Sequence, residues 1–438
     1  MGTEIEMKLV CPPAVLARVG RHPAVRALKT GRARTERLVS RYFDTPDGAL
    51  RGAGLALRVR GTARGWVQTL KGEAAGAGGL QTRPEWNWPV TADAVEPALL
   101  LETPAAKALG GRKKFSALLA TLVPVFESDF MRTTHPLRFP DGTRAELCVD
   151  LGEVRADNRS EPVCEAEIEL LPQEAGADVA DLPSSHIASL FDLPLALIET
   201  LPLRLGYISK AARAGALAQA LRRQPVRAVP VVLSRGMTQA EAFRATASSC
   251  MLHMQANEAG FMAGRDPEYL HQMRVALRRL RSAFAVFRQR IPADKLAPVA
   301  DEARTLARQL GAARDWDVFA TETMRVIARA FGGDAAIAAL ARRTARARSA
   351  NGRAARAAIS DTAYTRGLLR LARLLASVED YIDHTAEPLP VFAAQVLQKR
   401  HRRVRRLGER LAALTPDELH DFRICAKKLR YAAEFFGT

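Results

Sequence analysis

In Thr3-Glu4-Ile5-Glu6-Met7-Lys8-Leu9-Val10, charged and apolar residues alternate strictly from Glu4 to Leu9. Successive side chains of a β-strand point to opposite faces, so a period of two reads as a strand. One face carries Ile5, Met7 and Leu9; the other carries two carboxylates and an ammonium. Alone, the pattern fits a sheet with one dry and one wet face. Far downstream, Glu165-Ala166-Glu167-Ile168-Glu169-Leu170 repeats it. Two strands that each align carboxylates on one face predict a polar interior built to hold cations.

Further strands are expected at 37–43, 54–60, 66–72, 83–88, 126–132 and 145–151, the first running into the turn signal Asp44-Thr45-Pro46-Asp47-Gly48. Apolar stretches around 13–28, 94–120 and 174–191 read as helices outside the sheet. The inward charges form an acidic group, Glu4, Glu6, Glu165, Glu167 and Glu169 with Asp150, and a basic group, Lys8, Arg58, Arg60, Lys71 and Arg132. Buried like charges raise one another's pKa, and a hard divalent cation such as Mg²⁺ or Mn²⁺ relieves this through carboxylate oxygen. The basic group suits phosphate oxygens, with arginine offering bidentate contacts. A closed barrel accommodates such an interior without exposed edges. Glu169 also fits a solvated strand end, and Trp86 and Trp88, which share a face, read as packing residues.

The 438 residues suit two domains, and the 48% apolar content is that of a globular protein. Five scattered cysteines with no CxxC spacing point to a reducing compartment and no zinc site. Without a signal segment or a long apolar run, a cytoplasmic protein with no membrane span is expected. The net charge of +18 is uneven. Residues 1–214 hold 27 Lys+Arg against 26 Asp+Glu; residues 215–438 hold 38 against 21. Strand signals also give way to long Ala/Leu/Arg-rich helical spacing. The expected division is a strand-rich α+β domain over 1–213, a linker over 214–235, and an all-α domain over 236–438.

The helical part contains a repeat. His271-x-x-Arg274-Val-x-x-Arg278-Arg279-Leu-Arg281 recurs, offset by 149, as His420-x-x-Arg423-Ile-x-x-Lys427-Lys428-Leu-Arg430. The four basic positions of each copy form one stripe of a helix, and Met273, Leu277, Leu280, Phe284 and Phe287 form an apolar stripe opposite the first. A solvated face is the ordinary reading of such a stripe. Its appearance twice at matching spacing, each time led by histidine, favours a polyanionic partner. Histidine amid arginines is a poor metal site. Nucleic acid is disfavoured because no stacking aromatics interleave the basic helices.

Both halves resemble known families. The Glu4-Ile-Glu6-Met-Lys8 opening, Tyr42-Phe43-Asp44-Thr45-Pro46, Leu57-Arg58-Val59-Arg60, Thr69-Leu70-Lys71, Glu165-x-Glu167-x-Glu169 and Ser209-Lys210-Ala211 follow the order seen in CYTH domains, the triphosphate tunnel metalloenzymes. This resemblance implies an eight-stranded antiparallel tunnel that acts on a triphosphate with Mg²⁺ or Mn²⁺. It implies metal binding by Glu4, Glu6, Glu165 and Glu167, and phosphate binding by Lys8, Arg58, Arg60, Lys71, Arg132 and Lys210. Asp150 and Glu169 would support metal or the attacking water. The helical repeat, with Leu310-Gly311-x-x-Arg314-Asp315-x-Asp317-Val318, resembles the CHAD domain from about Met237 onward. That implies a helical bundle with a basic cavity for inorganic polyphosphate, lined by His271, Arg274, Arg278, Arg281, His420, Arg423, Lys427 and Arg430. The family pattern continues past the second basic helix, where this chain stops at Gly437-Thr438, so the expectation is either an incomplete second unit or a truncated product.

The combination is similar to bacterial inorganic triphosphatases. It leads to the expectation of metal-dependent cleavage of tripolyphosphate to diphosphate and phosphate, with the helical part binding polyphosphate or polyphosphate-bearing granules. Two alternatives stand beside it: a polyphosphate-binding or granule-targeting protein with little catalysis, and a tunnel enzyme for an organic triphosphate such as thiamine triphosphate or ATP.

Overall fold

The computed structural model describes residues 2–76, 78–173, 178–218, 224–264, 266–382 and 387–437. Residues 174–177 of the expected third helical stretch, 219–223 of the expected linker, and Thr438 lie outside the described residues. The chain divides into two compact units, Met1–Arg222 and Arg223–Thr438.

The first unit contains β1 (Gly2–Val10), β2 (Arg34–Asp44), β3 (Ala56–Thr62), β4 (Gly65–Lys71), β5 (Leu80–Val90), β6 (Val123–Arg138), β7 (Arg144–Ala156), β8 (Arg159–Leu170) and the two-residue β9 (Arg204–Leu205). The order is β5-β4-β3-β2-β6-β7-β8-β1, and β1 pairs back onto β5. The expected eight-stranded antiparallel barrel therefore closes, leaving no open edge in the ring. β9 adds only a short pairing to Leu9 and Val10.

The barrel turns its polar face inward. Glu4, Glu6 and Lys8 are buried inside, while Ile5, Met7 and Leu9 are buried on the other face of the same strand. On the outer face of β3–β5, Leu57, Leu70, Trp86 and Trp88 pack against Leu100, Phe115 and Leu119. These last three belong to the short helices Pro97–Leu100 and Arg112–Leu119. Burying such side chains contributes roughly 1.5–3 kcal/mol each, which offsets the cost of a charged interior. The expected helices at 13–28 and 94–120 are each broken. Pro23 opens a new helix in the first, and Gly110 and Gly111, with φ of 89° and 96°, separate two helices in the second.

Near one end the interior becomes apolar. Val154, Val163 and Phe126 meet Ala214 of the helix Lys210–Ala218, which packs on β6, β7 and β8. The Asp44 turn is an anchor for the next helix: its carboxylate accepts from the backbone N–H of Thr45, Leu50 and Arg51 at 2.8–3.1 Å.

The second unit is helical over 239–436, with its principal helices at Gln239–Ala263, Pro267–Phe287, Ala293–Val318, Ala335–Ser360, Thr362–Ala376, Leu389–Gly408 and Pro416–Phe436. Thr238 with Glu241, and Thr415 with Glu418, form capping boxes that start two of them. Met273, Leu277, Leu280, Phe284 and Phe287 are all buried, as the apolar stripe requires. Among the described residues, no helix is long and apolar enough to cross a membrane.

Candidate active site

Strand pairing alone sets most of the tunnel's geometry. On β1 and β8, Glu6 stands opposite Glu169 and Lys8 opposite Glu167. On β1 and β5, Glu4 stands opposite Arg83. Lys71 of β4 faces Glu85 of β5, and Arg132 of β6 faces Asp150 of β7. The tunnel encloses a cavity of about 310 Å³. Its walls include Glu4, Glu6, Lys8, Arg58, Arg60, Lys71, Arg132, Glu167, Glu169 and Lys210 from the sequence analysis, and also Tyr42, Arg83 and Glu85. Asp150 and Glu165 do not line the cavity; both are 0% exposed in the wall.

Charge pairing divides the acids into two clusters. Lys210 reaches Asp150, Glu165 and Glu167 at 2.8–2.9 Å. Arg132 holds Asp150 and Glu167 at 2.6 Å, and Lys8 lies 2.9 Å from Glu167. Arg213, one turn after Lys210, pairs with Glu161 at 2.7 Å and with Glu165. In the other cluster, Glu4 accepts from Lys71 at 2.7 Å and from Arg83 Nε at 2.5 Å, and Arg83 Nη2 reaches Glu6 at 2.9 Å.

The titration shifts follow these contacts. Glu4 is well desolvated, yet Lys71 and Arg83 overcome that burial and hold its carboxyl at about 2. Burial dominates at Glu6, with Glu167 and Glu4 adding repulsion, so its carboxyl is raised. Burial, then Glu4, Glu6 and Glu85, push Glu169 up to about 8. Glu169 makes no ion pair or hydrogen bond among the described residues. Lys210 and Lys8 outweigh burial at Glu167 and keep it strongly acidic.

Across the barrel, β3 carries the unrelieved positive charge. Among the described residues, the Arg60 side chain donates only to the hydroxyl of Ser40, at 2.8 Å, and it stacks 5.7 Å from the Phe130 ring. Burial, then Arg58 and Arg132, push its guanidinium down to about 9. Arginine stays protonated in proteins, so a buried guanidinium beside two other cations favours an added anion. Arg58 lies 3.9 Å from Glu85, and its buried Nε has no partner. The Tyr42 hydroxyl is drawn toward ionisation because Arg58 and Arg60 outweigh its burial.

The chemistry of the donor set suits a hard divalent cation. Glu4, Glu6 and Glu169 offer only carboxylate oxygen, and the last two are destabilised as anions by burial and by neighbouring carboxylates. As the side chains stand, no three His, Cys, Asp or Glu among the described residues are gathered to ligate one ion. The arginines and lysines occupy the carboxylates instead. A second, more apolar cavity of about 700 Å³ adjoins the tunnel, sharing Tyr42, Lys71 and Arg83, and is lined by Phe43, Pro124, Phe126 and Tyr207.

Sequence reasoning missed Arg83 and Arg213. Arg83 stands two residues before Glu85, so strand alternation already put it on the inner face. Arg213 lies three residues after Lys210, the spacing of helix neighbours. Arg213 was marked by no motif; Arg83 belongs to the Arg83-Pro84-Glu85 element of the expected strand 83–88 but was given no role there.

In the second unit the two basic copies share one field. Arg278 of the first copy bonds the Tyr431 hydroxyl. Its guanidinium lies 5.7 Å over that ring, with Arg430 of the second copy at 4.8 Å. Burial and then Arg423, Arg278 and Arg430 lower the Lys427 pKa. Burial lowers that of His271, Glu268 opposes, and Arg314, Arg278 and Arg274 reinforce. Arg278, Arg281, His420, Arg423 and Arg430 are exposed; His271, Arg274 and Lys427 are half-buried. Arg279 is different: it is 1% exposed and pairs with Glu434 at 2.7 Å.

Comparison with known proteins agrees with this division. Residues 2–182 match the CYTH domain and residues 245–438 match the CHAD domain. An inorganic triphosphatase of Haemophilus influenzae is 31% identical over 175 residues, 40% of this chain and 43% of the relative. The chain thus spans less than half the length of that relative. Among solved structures, the CHAD domain from the plant Ricinus communis is 32% identical with a TM-score of 0.44, covering 49% of this chain and 71% of that one. HpAC1 from Hippeastrum, described as having a dominant triphosphatase activity, is 20% identical with a TM-score of 0.31, covering 48% and 96%. The chain is a CYTH domain followed by a CHAD domain.

Proposed function

We propose that the first unit, taken as residues 1–213, is a divalent-metal-dependent triphosphatase whose substrate is inorganic triphosphate. The observation that carries this reading is the facing of two walls. Arg58 on one side reaches only the more distant Glu85, at 3.9 Å, and Arg60 beside it has no carboxylate partner among the described residues, while Glu6 and Glu169 on the other crowd negative charge. A phosphate chain would be held by the first wall, and the carboxylates of the second would hold a Mg²⁺ or Mn²⁺ ion.

Phosphoryl transfer depends on positioning and charge neutralisation more than on covalent catalysis. Lys8, Lys71, Arg58, Arg60, Arg132 and Lys210 bind and align the phosphates. Glu4 and Glu6 hold the metal, and Glu169 holds or takes up a proton near the attacking water. A bound divalent cation supplies charge neutralisation at the phosphate oxygens and an acidified water. Asp150 and Glu165 act from within the wall by fixing Lys210 and Arg132. His271, Arg274, Arg278, Arg281, His420, Arg423, Lys427 and Arg430 of the second unit, residues 236–438, bind polyphosphate, placing this cytoplasmic enzyme on polyphosphate-bearing granules.

The adjoining apolar cavity favours a second reading, in which the tunnel takes an organic triphosphate whose ring rests on Tyr42, Phe126 and Tyr207. Phosphate release from tripolyphosphate, long polyphosphate, ATP and thiamine triphosphate, with Mg²⁺ and with Mn²⁺, separates the two. The first reading expects the highest kcat/KM for tripolyphosphate. Preference for an organic triphosphate selects the second, and release from none sinks both.

A further inference from the structure

We propose that Arg83 is a built-in counter-ion that holds the metal-binding carboxylates Glu4 and Glu6 and must be displaced for a metal to bind them. The inference rests on the assignment of metal to Glu4 and Glu6 made above.

Among the described residues, Arg83 is the one cation that bridges both glutamates of β1. Its Nε meets Glu4 at 2.5 Å and its Nη2 meets Glu6 at 2.9 Å. The guanidinium fork fits two neighbouring carboxylates in a way that the point charge of lysine cannot. Backbone pairing fixes this placement: Glu4 is opposite Arg83, and the carbonyl of Pro84 accepts from the Gly72 N–H at 2.9 Å. Gly72 leaves room for Pro84, since a Cβ there would lie 2.6 Å from its ring. The main chain at Arg83 is therefore clamped between two strands while its side chain reaches across the glutamates.

A divalent ion and a guanidinium cannot hold the same oxygen lone pairs at contact distance, and their like charges repel. Arg83 also has somewhere to go. It lines both the tunnel cavity and the adjoining cavity of about 700 Å³, so the side chain can leave Glu4 and Glu6 within open space. Lys71 and Lys210 do not share this position. Lys71 holds Glu4 but not Glu6, and Lys210 holds the acids of β7 and β8.

The test is equilibrium Mn²⁺ binding to the metal-free full chain, followed by electron paramagnetic resonance without any phosphate compound. Arg83→Gln is expected to bind Mn²⁺ roughly tenfold or more tightly than wild type, the scale of a lost charge-assisted contact. Arg83→Lys, which keeps the charge but reaches one carboxylate, falls between the two. It decides the matter if Arg83→Gln does not fold, because affinity equal to or weaker than wild type then overturns the proposal. Unchanged or weaker binding by folded Arg83→Gln overturns it likewise, showing Arg83 to be scaffolding for the glutamates. Glu6→Gln separates the two levels of the argument. If it binds Mn²⁺ like wild type, the metal assignment itself fails. If no variant binds Mn²⁺, both fail.

Discussion

Glu6 and Glu169 stand directly opposite each other on the neighbouring strands β1 and β8, and both line the tunnel. Like charges in this relationship destabilise a sheet, so the pair stores an electrostatic cost that a cation releases. Burial first, and then Glu4 and Glu6, raise the carboxyl of Glu169 to about 8. A carboxyl raised above its unfolded value binds more protons in the folded state, so stability falls as pH rises between the unfolded value near 4.5 and about 8. In metal-free protein, the melting temperature of wild type relative to Glu169→Gln should decline from pH 5 to pH 8. A constant difference between the two proteins over that range contradicts the assignment.

Lys210 is expected to be structural as well as phosphate-binding. It is 7% exposed and faces Asp150 and Glu165, both fully buried. Removing one partner of a buried ion cluster leaves charge uncompensated, at a cost of about 3–5 kcal/mol. Denaturant unfolding of Lys210→Met should show a loss of that size. A loss below about 1 kcal/mol, the range of exposed ion pairs, would place Lys210 in solvent instead.

The two basic copies of the second unit should act together on long polyphosphate. Replacing Arg278 and Arg430 with alanine removes one residue from each copy, both stacked on Tyr431. Isothermal titration should show weaker binding and a shallower dependence on salt, since fewer counterions are released. His271 adds a pH dependence of known sign. Its pKa is held below the usual value, so it is neutral at pH 7 and gains charge as pH falls. Polyphosphate binding should tighten toward pH 5.5, and His271→Gln should lose that gain. Salt-independent binding would contradict the assignment.

Much of this molecule was legible in its sequence because a strand's period of two marks which residues share a face. Glu4, Glu6, Lys8, Arg58, Arg60 and Lys71 sit inside the barrel where alternation placed them. Alternation gives a face but not a depth. Asp150 and Glu165 share the inner face with the cavity-lining acids, yet they are sealed in the wall by Lys210 and Arg213, which return from a helix about 50 residues onward. Pairing of that kind depends on barrel closure, which no local pattern encodes. Arg83 was passed over for a related reason: its partners lie on β1, on the far side of the closure. In the helical unit, the buried Arg279 sits beside the exposed Arg278 in an unbroken basic motif, and only its bond to Glu434 distinguishes them.

If the carboxylate wall and the arginine wall together hydrolyse triphosphate, turnover requires Glu6. Phosphate release from tripolyphosphate with saturating Mg²⁺ or Mn²⁺, compared between wild type and Glu6→Gln, tests it most directly. Metal-dependent turnover by wild type and its loss in a folded Glu6→Gln protein is the predicted result. Equal turnover by the two proteins, or none by wild type with either metal, would contradict it.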